Sequence, residues 1–310
     1  MRILAGGILT LYLGLTACSD ISPTPAIDDA ASSIAQPIEY GTRLSFVSKI
    51  TNETHEINIW TPPDMGKDGK TYPILYVIDG GMDQDFQHIA GLAQLASISN
   101  RFETPIVVGI RTSNRYYQLT PKMTDSRYLP WNGTEGKPEM GGADDFHRFI
   151  QEELRPHIEK TYPNNDRRII LGESLAGYYI TREFLRYPES FTDYIAVSPS
   201  LWLDDQRLAK EASALLEKHD DTSRRIYFTM ADEGGTMQAG LDKVMTAITA
   251  RDFKDLNMIY VDRRNSESHS TIYHGAALDA LTQLFGIPPV DYGPAPWYLR
   301  EGGQPEEDEP

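Results

Sequence analysis

Cysteine is almost absent: Cys18 is the only one in 310 residues, which excludes an internal disulfide framework. Positive charge is also scarce. Lys and Arg number 29 against 45 Asp and Glu, for a formal net charge of −16. That balance argues against a nucleic-acid partner and against strong attraction to an anionic lipid surface. No His, Asp and Glu cluster has the spacing of a metal site, so neither a metal nor another cofactor is expected. The apolar run Ile3 to Leu15 falls short of the roughly twenty residues a membrane-crossing helix needs.

That short run has the form of an export signal. Arg2 gives the positive flank, and an uncharged apolar core follows. It ends in Leu15-Thr16-Ala17-Cys18, which resembles a bacterial lipobox, so Cys18 is the expected lipidation site at residues 1–18. Ser19 rather than an aspartate follows, as in lipoproteins of the outer membrane that face the periplasm. Loss of Arg2 with the signal leaves the mature chain one unit more negative. Residues 19–38, rich in Ser, Pro, Ala and Asp, form the expected flexible tether. Residues 288–310 hold Pro294, Pro296, Pro305 and the run Glu306-Glu307-Asp308-Glu309, an acidic solvated tail.

Residues 39–287 remain, enough for one large domain with a buried core. Strand-like runs at Leu44 to Lys49, Ile57 to Thr61, Pro73 to Ile78 and Pro105 to Ile110 open it. The last two are continuously apolar, as strands buried on both faces must be. From Ala143 onward, helices alternate with strands at Arg168 to Leu171, Tyr194 to Val197, Ile226 to Met230 and Asn257 to Val261. This alternation predicts an α/β fold with a mostly parallel sheet and helices on both faces. Pro156 is expected to kink the helix that begins at Ala143. Between Arg111 and Gly141 no period is visible, and Tyr116, Tyr117, Tyr128 and Trp131 either wall a pocket or pin the loop.

Chemistry concentrates where the strand Arg167 to Leu171 meets the small-residue turn Gly172-Glu173-Ser174-Leu175-Ala176-Gly177. A serine on such a strand-to-helix turn is held in strained backbone and needs small neighbours two positions to either side. Ser174 is therefore the expected nucleophile, although Ala176 stands where a glycine is usual. A serine hydroxyl also needs a base, and in this arrangement the chain order is serine, acid, histidine. His55, His88, His147 and His157 come too early, and His219 precedes the strand that should lead to the acid. His269, in a polar loop after the last strand, is favoured over His274 at the start of the last helix. The acid falls on Ala231-Asp232-Glu233-Gly234-Gly235, with Glu233 preferred and Asp232 the alternative. Leu175 and either Gly81 or Met82 are the expected backbone donors to a tetrahedral oxyanion.

With these pieces in order, the chain resembles the putative esterase (esterase D-like) family, which includes enterochelin-type siderophore esterases and S-formylglutathione hydrolases. The carriers are Tyr72 to Gly81, Val108-Gly109-Ile110 with Arg115 and Leu119-Thr120-Pro121, and Gly141 to Asp144 with Phe146, Phe149 and Glu153-Leu154. The elbow, Ser198-Pro199-Ser200-Leu201-Trp202 and the His269 loop complete the set. The sequence departs from the family at Ala176 and in an acid turn one residue shorter than usual. The resemblance implies a single α/β-hydrolase domain acting as a serine esterase on a small-molecule ester, through an acyl-enzyme on Ser174. A siderophore trilactone is the family-based substrate, while small acyl or carbohydrate esters fit this acidic chain no worse. An acyltransferase with the same triad and a non-catalytic binding lipoprotein are the rival readings. The oligomeric state is left open.

Overall fold

The computed structural model describes residues 35–125, 127, 138–220, 223–289 and 293–304. The signal segment with Cys18, most of the tether, Tyr128, Trp131 and the acidic run of the tail lie outside these residues. The body from Tyr40 onward is one compact unit. Its eight strands are β1 (Thr42–Val47), β2 (Thr54–Trp60), β3 (Tyr72–Ile78), β4 (Ile106–Ile110), β5 (Asn164–Glu173), β6 (Asp193–Val197), β7 (Arg224–Met230) and β8 (Leu256–Asp262). They form a single sheet in the order β1-β2-β4-β3-β5-β6-β7-β8. Only β1–β2 and β2–β4 pair antiparallel; every other neighbour is parallel.

Side chains alternate across a strand, and here both faces are apolar. On one face Ile74, Tyr76, Ile78 and Ile170 pack against α3 (Ala143–Arg148), α5 (Leu175–Arg186) and α7 (Gly235–Arg251). On the other, Leu75, Val77, Ile169 and Leu171 pack against α1 (Phe86–Ser99) and α8 (Ile272–Phe285). All seven residues of β3 and all five of β4 are buried, as their unbroken apolar runs require.

Two helical segments differ from the sequence expectation. The helix from Ala143 runs through α3, widens into a π turn at Phe149–Leu154, and continues as α4 (Arg155–Thr161). Pro156 has no N–H to continue the regular ladder, and the wide turn just before it absorbs the mismatch, with Arg155 N–H bonding to Ile150 O. Within the aperiodic 111–141 stretch a short helix, α2 (Arg115–Leu119), was not foreseen, because five residues are too few to show a period. Of its aromatics, Tyr116 joins the core and the Tyr117 ring lies against Gly142, so these two pin the segment down. The same segment is tied to α6 (Leu203–Leu216) at Asp204, whose buried carboxylate accepts from Thr124 N, Thr124 Oγ1 and Asp125 N.

Candidate active site

Parallel strands end together, so loops after β3, β5, β7 and β8 converge on one edge of the sheet. Ser174 stands between β5 and α5 with φ 60 and ψ −116. Positive φ at a non-glycine residue costs on the order of 1–3 kcal/mol and survives only where the surroundings over-determine it. Here Ser174 N–H is fixed to Val197 O at 2.9 Å and Ser174 O accepts from Ser200 N at 3.0 Å. A Cβ added at Gly172 would come within 2.6 Å of the Ala176 methyl. Glycine at 172 thus leaves room for the Ala176 methyl.

The acid turn and the histidine loop meet. His269 Nδ1 donates to Glu233 Oε1. An ionised carboxylate can only accept, so the proton sits on Nδ1 and the Nε2 lone pair is left free. The His269 side chain is 43% exposed and that of Glu233 14%, which places the imidazole at the surface of the cleft and its partner beneath. Asp232 is exposed, and its backbone N–H bonds to Glu267 O at 3.2 Å. Burial pushes the Glu233 carboxyl up, but the hydrogen bond with His269, helped by the polar groups of its own backbone and of Ser198 nearby, outweighs it and holds the group below the usual range. The hydrogen bond to Glu233 raises His269 above the ordinary 6.5, against burial, with the charges of Glu173 and Glu233 adding to it. His274 instead lies exposed on α8, its ring 4.3 Å from that of His88.

The loop after β3 distinguishes the two candidate donors. Gly81 N–H donates to Gln84 Oε1 at 3.0 Å and is therefore engaged. Gln84 is itself locked to the loop after β4, donating from Nε2 to Thr112 O at 3.2 Å. Met82 N–H makes no hydrogen bond among the described residues, and Leu175 N–H, at the first position of α5, has no acceptor within its helix. Of the two candidates, Met82 is the one whose N–H is not already engaged. The loop can sit this close because a Cβ on Gly80 would fall 2.3 Å from Gly109 Cα. Asn58 Nδ2 donates to Gly80 O at 3.0 Å and fixes the loop from the β2 side. A cavity of about 230 Å³ opens beside Met82, lined also by Tyr40, Arg43, Asn58 and Phe86.

Ser174 Oγ lies 3.3 Å from Ser200 Oγ. Ser198 Oγ accepts Ala231 N–H at 3.1 Å and faces Glu233, so the Ser198-Pro199-Ser200 turn touches both ends of the arrangement. Arg115 Nε donates to Asp79 Oδ2 at 2.7 Å, and its Nη2 to the Glu173 carbonyl oxygen at 3.2 Å. Sequence reasoning gave no task to Glu173, Gln84, Ser198 or Ser200. For Glu173 a signal existed, a charged residue at the mouth of a buried strand; for Gln84 there was none.

Comparison with known proteins bears on the family and the fold. A profile of the family described as putative esterase matches residues 48–277. The chain is 35% identical over 114 residues to a siderophore enterobactin esterase of Emericella nidulans, covering 35% of this chain and 37% of that protein. It is 31% identical over 175 residues to the ferri-bacillibactin esterase BesA of Bacillus subtilis, covering 52% and 59% respectively. The chain thus spans less than two thirds of the length of either relative. An IroE-like serine hydrolase of Shewanella oneidensis superposes with a TM-score of 0.69 at 27% identity, over 80% of each chain. Strand order, elbow and family match agree: the chain belongs to the putative esterase family.

Proposed function

We propose that the protein hydrolyses a carboxylic ester through a covalent acyl-enzyme on Ser174. The observation that supports this is the hydrogen-bonded Glu233–His269 pair, on loops that follow β7 and β8 at the same edge of the sheet as a serine in strained elbow backbone. In the first half-reaction Ser174 Oγ attacks the ester carbonyl carbon and its proton passes to His269 Nε2. The developing oxyanion accepts from Leu175 N–H and Met82 N–H. Collapse breaks the acyl–oxygen bond, and His269 returns the proton to the departing alcohol. Water, deprotonated by the same imidazole, then releases the acid and regenerates Ser174. In the resting state Ser174 Oγ is near Ser200 Oγ, so attack begins with a rotation of the serine side chain toward His269. Such catalytic contacts commonly tighten only when substrate is bound.

The substrate is proposed to be a small-molecule ester. A siderophore lactone is suggested by the names of the relatives. Release of acid from a panel of such esters, a siderophore lactone included, by wild-type protein but not by Ser174→Ala tests the reading.

A lipid anchor on Cys18 at a periplasm-facing outer membrane is likewise proposed, from the lipobox and the polar tether. Cys18→Ala should shift the protein from the membrane to the soluble fraction while its hydrolysis of soluble esters stays unchanged, because a flexible linker decouples anchor from site. Membrane retention of the variant, read by fractionation, counts against lipidation.

A further inference from the structure

The proposed reaction needs the Ser174 hydroxyl and the Met82 N–H at a fixed separation, yet they stand on different turns, after β5 and after β3. These strands are adjacent and parallel. Each turn opens on a non-glycine residue with positive φ, Asp79 at 61 and Ser174 at 60. Arg115 joins the two. Its Nε donates to Asp79 Oδ2 at 2.7 Å, and its Nη2 donates to the Glu173 carbonyl oxygen at 3.2 Å. Asp79 is buried, and its other carboxylate oxygen accepts from the Thr112 hydroxyl. The Glu173 carbonyl belongs to the peptide unit whose N–H is that of Ser174, and this N–H donates to Val197 O at 2.9 Å. The unit that aims the nucleophile is thus held from both sides, by β6 and by Arg115. Other side-chain ties of the β3 turn lead elsewhere: Gln84 and Asp83 bind it to the turn after β4, and Asn58 binds it to β2.

Arg115 is itself firmly mounted. A helix as short as α2 does not stand alone, but Gly142 N–H donates to Tyr117 O at 2.9 Å and Ala143 N–H to Thr120 O at 3.1 Å, which fastens α2 to the start of α3. Leu119 is fully buried at its end. A guanidinium suits the position, because its planar fork holds two donors in a fixed relation where a lysine offers one point charge. We infer that Arg115 is a positioning residue: it clasps the turn that carries Met82 to the elbow that carries Ser174 and fixes their separation. The inference rests on the serine-esterase reading for its effect on turnover. Oxyanion and Ser174–carbon bond form together in the transition state, so slack between the two turns lowers kcat and leaves ground-state binding unchanged.

Two variants of the full chain test this. Arg115→Ala removes both hydrogen bonds and should lower kcat for a neutral aryl ester by about a hundredfold, the cost of a misplacement of about 1 Å. It also strips the buried Asp79 carboxylate of its cation, so Arg115→Lys is the variant that keeps the fold if alanine does not. Lysine preserves the charge beside Asp79 and gives up the fork, and it should lower kcat by about tenfold with KM within about twofold of wild type. Hydrogen exchange read by mass spectrometry should be faster in Arg115→Lys than in wild type at both turns, residues 79–85 and 173–177. A wild-type kcat in either folded variant overturns the inference, since a pair with Asp79 would then be a structural contact alone. So does a loss carried by KM, which would make Arg115 a substrate contact, or unchanged exchange at either turn. If the wild-type protein turns over no ester, the serine-esterase reading falls, and exchange at the two turns decides the clasp by itself.

Discussion

Ser174→Ala and His269→Ala should each lower kcat for ester hydrolysis by about 10⁴-fold or more, and the double variant should be no worse than either single one. Nucleophile and base act as a unit. Without the imidazole the serine hydroxyl keeps its ordinary, high pKa, and without the hydroxyl the imidazole has no proton to take. Neither change should unfold the protein. Ser174 is held by backbone hydrogen bonds to Val197 and Ser200 that alanine retains, and its strained φ is the same burden for either residue. His269 is half-exposed in its loop, so its truncation leaves no buried cavity. Steady-state kinetics of the three variants against wild type, with thermal unfolding as a control, reads the result. Additive losses in the double variant would show that the two residues serve separate steps.

The second large effect separates two adjacent carboxylates. Glu233→Ala should reduce kcat on the order of a hundredfold or more, and Asp232→Ala should stay near wild type. In the proposed mechanism Glu233 Oε1 keeps the proton on Nδ1, leaving Nε2 basic, and stabilises the imidazolium. Asp232 is exposed and presents only its backbone N–H to Glu267. Because Glu233 also raises the His269 pKa, its loss moves the acid limb of activity to lower pH. The comparison therefore belongs on the plateau above that limb, where the change in kcat reflects orientation and charge stabilisation alone. A larger loss for Asp232→Ala would transfer the acid role to that residue, and no loss for either would leave a Ser–His dyad.

Much of this was legible in the sequence, for identifiable reasons. β3 and β4 showed as unbroken apolar runs bounded by Pro, Gly and Asp, because a strand buried on both faces tolerates nothing else. Ser174 and His269 were singled out as the pair to propose by chain order around a strand-to-helix turn of small residues. What stayed hidden depends on side chains reaching across the fold. Gly81 and Met82 are equal as backbone donors until Gln84, locked to Thr112, takes the Gly81 N–H. Asp232 and Glu233 are likewise neighbours in one turn, and only the meeting of the β7 and β8 loops turns Glu233 toward the imidazole. The π turn is a local accommodation of Pro156, while the left-handed run Asp204-Asp205-Gln206 at the start of α6 is held by tertiary contacts, such as Asp204 on Thr124. No periodicity announces them.

The central claim is that Ser174 is an activated nucleophile, and a fluorophosphonate probe addresses it directly, because such probes form a stable adduct only with a serine that an adjacent base has activated. The folded protein should gain one adduct per chain, located on Ser174 by peptide mass spectrometry, and the adduct should be lost in Ser174→Ala and strongly slowed in His269→Ala. Labelling of another residue, or no labelling of folded wild-type protein, would contradict the account.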